Sequence, residues 1–283
     1  MSPAPAWRAV EAAHIARADE LTAAHRERTA RGERHPVEDF LFTYYSYKPA
    51  VLRRWHPGER VQLVGAADDA RAAWRWYRPG EERGSLVVDG EAFRAEKALL
   101  VRGIRQILRA TAARPAGYGC FGLHEWAMVY RDRDTRHDLP LRLGAVGTDA
   151  VVDAHELRCT HFDAFRFFTA DAAPRNRSSL RRDDQTGDEQ PGCLHAGMDL
   201  YKWAVKLGPL VPGELLLDAF TLARDIRTVD MAASPYDLTG YGLAPVPVER
   251  PEGKADYVRR QRGFATRGAV IRERLIEVID RTA

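Results

Sequence analysis

Apolar residues repeat at helical spacing along much of the chain, and this pattern limits its possible folds more than any other feature. Between residues 91 and 114, for example, Leu100, Ile104, Ile107 and Leu108 lie at positions i, i+4, i+7 and i+8. This spacing places apolar side chains on one helix face, which is typical of a helix packed on a core. A short apolar run at 61–64 is compatible with a strand. We therefore predict a mainly α fold, with at most a few short strands.

Proline, glycine and acidic residues mark the ends of the other predicted helices. These helices cover residues 5–31, 35–49, 91–114, 119–131, 192–207, 212–233 and 253–283, whereas 148–159 fits either a helix or a strand. A polar loop at 171–191 and a Pro/Gly-rich connection at 234–251 join some of them. No linker divides the chain into two apolar cores. We predict one helical domain over 1–283, built around a central helix pair at 119–131 and 192–207.

Composition excludes several classes of protein. No segment approaches the roughly 18 uninterrupted apolar residues of a membrane helix, and the N-terminus lacks the pattern of a secretory signal. The three cysteines are odd in number and far apart, so we expect a reducing compartment without a disulfide framework. Each one comes two to four residues before a histidine: Cys120, Cys159 and Cys193 precede His124, His161 and His195. We expect a cytoplasmic protein with no membrane partner.

The basic residues are mostly arginine. Only five of the 43 lysines and arginines are lysines, and the net charge is +3. Arginine suits phosphate recognition because its planar fork matches a pair of oxygen atoms. Codon usage in a GC-rich genome would enrich arginine equally well. A small charge spread along the chain is weaker support for nucleic-acid binding than a basic stripe.

The predicted helix at 192–207 carries the most informative polar pattern. His195, Asp199, Lys202 and Lys206 are spaced i, i+4, i+7 and i+11, so they share one helix face. A solvated face with an Asp199–Lys202 ion pair would explain this pattern. Alternatively, His195 and Asp199 come from consecutive turns and can reach one ligand or one metal ion together.

A second polar pair lies in the predicted helix at 119–131, which is apolar nearly all round. His124 and Glu125 are adjacent and therefore point about 100° apart, so at least one of them should face inward. A buried histidine or glutamate is costly unless it is hydrogen-bonded, paired or ligating. A core histidine with satisfied hydrogen bonds is the structural alternative to a functional one.

His161 and Asp163 form a third candidate group. Residues Thr160 to Asp163 have the spacing of a capping box, in which case Asp163 caps a helix over 160–168. In a strand, His161 and Asp163 would instead point to the same side. His124, His161, His195, Asp163 and Asp199 are our candidate ligands for a divalent iron, manganese or zinc ion. No pair of these residues matches a specific metal-binding motif such as HExxH. The pattern alone therefore does not decide whether they bind a metal ion.

Other motifs exclude common enzyme classes. Gly117, Gly119 and Gly122 match G-x-G-x-x-G by spacing, but they follow a predicted helix and Pro115 rather than a strand. A dinucleotide site requires the strand, so we interpret the match as a turn between helices. Neither a G-x-S-x-G elbow nor a P-loop is present. Tyr44, Tyr45 and Trp126 are candidates for a stacking pocket, although helical cores also use such aromatic residues.

Six segments of the chain resemble those of a known family. The resemblance rests on HPVEDFLFTYYSYKPAVLRRWHPG, CFGLHEWAMVYR, CTHFDAFRFFT, EQPGCLHAGMDLYKWA, DMAASPYDL and PEGKADYV. They look like segments of an actinobacterial protein family commonly labelled 3-methyladenine DNA glycosylase, from about residue 5 to residue 280. The resemblance implies hydrolysis of the N-glycosidic bond of an alkylated purine, with duplex DNA as the partner.

Three hypotheses about function follow. In the first, a DNA glycosylase uses Asp199, Glu125 or His195 in catalysis. Its substrate contacts come from Tyr44, Tyr45, Trp126 and Lys202, with phosphate contacts from Arg175, Arg177, Arg181 and Arg182. In the second, a metal-dependent enzyme uses the histidine and carboxylate residues on a small molecule. In the third, a helical binding module contains only structural histidines. The sequence predicts no oligomeric state.

Overall fold

Helices make up most of the computed structural model, which describes residues 6–132 and 138–281. The predicted mainly α fold is confirmed. Over the described ranges the α-helices are α1 (Ala6–Ala30), α2 (Phe40–Thr43), α3 (Pro49–Arg53), α4 (Gly90–Glu96), α5 (Ala98–Ala112), α6 (Leu123–Ala127), α7 (Gly144–Asp153), α8 (Phe162–Phe165), α9 (Gln185–Asp188), α10 (Leu194–Lys206), α11 (Gly213–Ala232) and α12 (Pro251–Asp280). Two short strands are β1 (Tyr77–Pro79) and β2 (Leu86–Val88).

Helices α10, α11 and α12 pack against one another and form the centre of the molecule. Helix α11 is buried on most sides because apolar residues predominate in its sequence, whereas Glu214, Asp218 and Thr228 are exposed. Helix α5 uses the predicted stripe, including Ile104 and Leu108, to pack against α12. One large apolar cluster contains buried residues from all of these helices. The residues that form the site described below project from this helical core.

The two strands form a small antiparallel hairpin. Tyr77 pairs with Val88, and Pro79 pairs with Leu86. The run at 61–64, predicted as a strand, contributes only an isolated bridge between Leu63 and Leu86. Leu63 is fully buried whereas Val61 and Val64 are exposed. This segment therefore places the Leu63 side chain in the core and does not add a strand to the sheet.

Two predicted helices are interrupted by backbone conformations that a helix cannot accommodate. Within 35–49, only α2 is α-helical, and Ser46 has a φ of 58°. Pro49 does not end a helix but begins α3, because proline is compatible with the first helical turn. Between 91 and 114 the chain forms two helices, α4 and α5, separated at Lys97.

The helix predicted at 119–131 is shorter than expected. Only α6 is helical, because Phe121, Gly122 and Arg131 all have positive φ values. At Gly122, a φ of 72° favours glycine, and a Cβ atom there would lie 3.2 Å from the Tyr257 ring. The short helix leaves His124 and Glu125 on a rigid turn beside α11.

The segments between the long helices also differ from the prediction. The polar loop at 171–191 contains two 3₁₀ turns (Ala173–Arg175 and Arg182–Asp184) and α9. The ambiguous 148–159 segment is helical up to the end of α7. The predicted capping box does not form, because His161 precedes α8 and no side chain caps that helix. Across the described ranges, no helix is long and apolar enough to span a membrane.

Candidate metal centre and adjoining cleft

A cleft with a volume of about 460 Å³ lies over α6, α10 and α11. It brings together Glu125, His161, His195 and Asp199, which were predicted from separate segments of the sequence. Tyr44, Tyr45 and Asp163 also line it. The remaining lining residues are Phe40, Thr43, Met128, Ala164, Arg166, Phe167, Met198 and Arg227. The cleft thus has aromatic walls and a floor of charged and polar groups.

Three histidine rings meet at the base of this cleft. The rings of His124 and His195 are 4.5 Å apart, edge to face, and those of His161 and His195 are 5.2 Å apart, nearly parallel. His124 and His161 are buried, whereas His195 is partly exposed. His195 therefore connects the buried interior with the cleft.

His124, His195 and Asp230 form the first group of possible metal ligands. Their ligand atoms all lie within 4.8 Å of one another. His124 Nε2 is 3.0 Å from Asp230 Oδ1. Asp230 is fully buried, and its oxygens lie in ion-pair contact with two charged groups, His124 and Arg227. A divalent cation could take the place of the proton on His124 in this arrangement.

The charges in this group follow from burial and proximity. Burial alone would lower the pKa of His124, but the charge of Asp230 raises that pKa well above its usual value. Burial lowers the pKa of His195 far below the usual value, and the neighbouring His124 lowers it further. Burial would raise the pKa of Asp230, but His124 lowers it instead. Asp230 is therefore ionised, His195 neutral and His124 protonated at neutral pH.

A buried ion pair lies beside this group. Arg227 Nη1 donates a hydrogen bond to Glu125 Oε1 at 2.9 Å and is 3.5 Å from Asp230 Oδ2. The same guanidinium lies 3.8 Å from the centre of the Phe40 ring. Arg227 is thus held mainly by Glu125 and Phe40, and Asp230 remains turned toward the two histidines.

The second group of possible ligands is His161, Glu189 and Asp199. His161 Nδ1 is 3.0 Å from Glu189 Oε1, and its Nε2 is 3.8 Å from Asp199 Oδ2. Burial would lower the pKa of His161, but the charge of Glu189 raises it. The ring therefore lies between two carboxylates and can hold a proton at either nitrogen.

Both carboxylates of this second group already have protein partners. Asp199 accepts a hydrogen bond from the Tyr45 hydroxyl at 2.8 Å and another from Lys202. Glu189 accepts one from Gln185 at 2.6 Å. The second group is consequently a hydrogen-bonded ionic network, and the first group is the better candidate for a metal ion.

Three residues predicted for the site have other surroundings. Asp163 lines the cleft but pairs with Arg182 at 2.7 Å and with Lys202 at 3.6 Å, and it belongs to neither ligand group. Lys202 does not line the cleft, and its ammonium group donates a hydrogen bond to Asp199. Trp126 is fully buried, and its indole donates a hydrogen bond to the carbonyl of Ala233 at 2.8 Å. Trp126 is therefore part of the core and does not line the cleft.

Sequence reasoning missed three residues of the site: Glu189, Arg227 and Asp230. Arg227 and Asp230 are spaced i, i+3 on α11, where apolar residues predominate, and this pattern was the available signal. Glu189 ends a polar segment and carried no distinguishing pattern. Glu189 is buried because α9 packs against α5, a contact that the sequence alone does not predict.

The three cysteines meet in the structure. They border one small internal cavity, together with His124 and His195. Burial raises the pKa of the Cys159 and Cys193 thiols well above the usual value, so both remain protonated. A thiolate is the form that ligates metals. Among the described residues, the three cysteines lie beside the candidate metal centre but belong to neither group of possible ligands.

Comparison of the chain with protein families, with curated proteins and with solved structures finds no match. The function has to be inferred from the chemistry of the cleft.

Proposed function

We propose that this protein is a metal-dependent enzyme that binds a divalent cation through His124, His195 and Asp230 and acts on a small molecule in the cleft. The environment of Asp230 carries the proposal. A fully buried carboxylate lies beside two imidazoles, and the ligand atoms of all three residues are within 4.8 Å of one another, a separation that a single ion can bridge. Ionised buried carboxylates are paired or coordinate metals.

The donor set suits iron, manganese or zinc. Two imidazoles and one carboxylate are characteristic of nonhaem iron sites and are also used by catalytic zinc sites. Three protein ligands leave coordination positions open, so the cation would supply Lewis-acid chemistry to a water or substrate atom reached from the cleft. His195 is the ligand that also lines the cleft.

The second group of residues, His161, Glu189 and Asp199, would transfer protons during the reaction. His161 lies between Glu189 and Asp199, and its ring is 5.2 Å from that of His195. Tyr45 and Lys202 fix Asp199, which in turn orients His161. We assign His161 the role of general acid or base, because an imidazole held by a carboxylate can transfer a proton near neutral pH.

The cleft walls favour a small molecule with an apolar part. Phe40 and Tyr44 stack with ring centres 4.9 Å apart, and Phe167 and Met128 complete the wall. Arg166 lines the cleft and is placed to contact an anionic group of the substrate.

Metal titration of the purified, chelator-treated protein tests the proposal. We expect Zn²⁺ or Mn²⁺ to bind at about one ion per chain. Asp230→Asn should weaken binding more than about a hundredfold, because even outer-shell partners of a metal contribute 10–100-fold. Asp225→Asn is the matched control, since Asp225 lies on the same helix but pairs with Arg267 at the surface. Equal metal affinity of both variants would refute the assignment.

A second candidate is excision of alkylated purines from DNA. The cleft favours it in one respect, because the Tyr44 ring and two carboxylates, Asp199 and Glu125, line the same cleft, and a glycosylase needs both a stacking surface and a stabilising carboxylate. This activity predicts salt-sensitive binding to duplex DNA and release of 3-methyladenine in the presence of a chelator. Asp199→Asn should abolish release. Failure to release any base at high protein concentration would exclude the activity.

A further inference from the structure

A second pocket, with a volume of about 480 Å³, lies near the C-terminal end of α10. Its lining includes two tryptophans, Trp74 and Trp76, and three cations, Arg54, Arg75 and Lys206. Among the residues that the structure describes, no carboxylate lines it. Lys206 is seven residues from Asp199 along α10, which corresponds to about 10 Å at 1.5 Å per residue. The pocket is therefore separate from the cleft.

The cations of this pocket are only partly neutralised. Arg75 pairs with Glu96 outside the pocket lining. Over the ranges that the structure describes, no carboxylate lies within salt-bridge distance of Arg54 or Lys206. The guanidinium of Arg54 is 5.4 Å from the Trp74 ring centre, and the Lys206 ammonium is 5.6 Å from that of Trp203. Two exposed cations thus share the mouth of the pocket with aromatic surfaces.

His56 gives the pocket a neutral polar wall. Burial lowers its pKa to about 3, and the nearby Arg54 and Arg71 contribute to that shift. Its Nδ1 is 2.9 Å from the Tyr77 hydroxyl. The imidazole stays uncharged at physiological pH and can exchange hydrogen bonds with a polar edge of a ligand.

We propose that this pocket binds a small molecule that joins a flat ring to a phosphate group, as a nucleoside monophosphate does. The tryptophans provide flat apolar surface for the ring. Arg54 and Lys206 provide charge-assisted hydrogen bonds for the phosphate. The described residues of the surrounding wall include no acidic group that would repel the anion.

Titration of the full-length protein with AMP, followed by tryptophan fluorescence and calorimetry, tests this proposal. We expect saturable binding with a change in fluorescence. Because each substitution removes a hydrogen bond to a charged group, Arg54→Ala and Lys206→Ala should each weaken AMP binding at least about tenfold. Arg102→Ala, an exposed residue on α5, is the matched control and should leave it unchanged. Adenosine and ribose 5-phosphate should each bind at least about tenfold more weakly than AMP.

Asp230→Asn and Tyr44→Leu distinguish this pocket from the cleft, and both should leave AMP binding unchanged. Three results would overturn the proposal: no AMP binding at millimolar concentration, weaker binding in Asp230→Asn or Tyr44→Leu but not in Arg54→Ala, or adenosine binding as tightly as AMP.

Discussion

At the scale of single residues, the function of the cleft depends on which groups carry charge. Asp230 lies 3.0 Å from His124, which lowers the pKa of Asp230 while Asp230 raises that of His124, and burial lowers the pKa of His195. A metal ion would replace the proton on His124 as the partner of Asp230. The same pair of residues therefore explains both a stable metal-free state and a site for a cation.

This exchange predicts a pH dependence of metal binding. The pKa of His124 is raised, so in the metal-free protein His124 carries a proton at neutral pH, and metal binding must release it. The affinity for the metal ion should increase with pH up to the raised pKa of His124 and stay constant above it. Calorimetry at neutral pH in buffers of different ionisation enthalpy should detect about one released proton per ion. Binding without proton release would show that His124 is not a ligand.

Trp126 provides a prediction that separates a core residue from a substrate contact. Trp126→Phe removes the hydrogen bond to the Ala233 carbonyl and leaves that buried acceptor unpaired. We expect the free energy of unfolding to fall by about 1–3 kcal/mol, as measured by chemical denaturation. Tyr44→Leu, at the cleft wall, should change substrate binding with little change in stability. If Trp126→Phe changed substrate binding and left the free energy of unfolding unaltered, Trp126 would belong to the substrate site.

Several site residues could be predicted because each lies where a polar group is unusual. His124 and Glu125 are the polar exceptions in an apolar segment, and His195 and Asp199 share a helix face. Asp230 and Glu189 could not be predicted in the same way. Their histidine partners are distant in the sequence: Asp230 lies against His124, and Glu189 lies against His161. Only tertiary packing brings these groups together.

At the scale of secondary structure, long helices were predicted well and short ones poorly. Helices α1, α10, α11 and α12 are 25, 13, 20 and 30 residues long, and they lie close to the predicted ranges. The predicted helices at 35–49 and 119–131 contain residues with positive φ, at Ser46 and at Phe121 and Arg131. Gly122, which also has a positive φ, was a sequence signal for the break in 119–131, but Ser46, Phe121 and Arg131 are not glycines and gave no signal. Contacts with the rest of the fold must impose these conformations.

Two glycines of α12 should respond oppositely to the same substitution. A Cβ atom at Gly253 would lie 2.0 Å from the Pro247 carbonyl oxygen, whereas one at Gly263 would meet no atom within 4 Å. Gly253→Ala should therefore destabilise the protein by about 1–3 kcal/mol. Gly263→Ala should stabilise it by about 0.4–1 kcal/mol, because alanine is the better helix former. Thermal unfolding of both variants measures these effects, and a shift of the same sign in both would contradict the described packing of α12.

At the scale of the whole molecule, the candidate metal centre joins elements that are distant in sequence. His124 lies on α6, His195 on α10 and Asp230 on α11. Because α10 and α11 also form the centre of the fold, a cation held there would link the helical core to the short α6 turn. Metal binding and global stability should therefore be coupled.

This coupling can be measured by thermal unfolding with and without metal. A ligand at a hundred times its dissociation constant stabilises the native state by about 2.7 kcal/mol. For a chain of this size, that corresponds to a rise in Tm of several degrees. We expect the rise in the unmodified protein and in Asp225→Asn, and its loss in Asp230→Asn. A rise of equal size in Asp230→Asn would place the stabilising ion elsewhere.

Anomalous diffraction from crystals grown with Mn²⁺ or Zn²⁺ is the most direct test of the candidate metal centre. We predict one strong anomalous peak between His124 Nε2, the His195 ring and an Asp230 oxygen, at about 2.0–2.2 Å from each ligand atom if the ion is zinc. The His161 and Asp199 network should remain hydrogen-bonded to Tyr45, Lys202 and Glu189. A peak at any other group, or none at saturating metal with Asp230 still facing His124, would contradict the account.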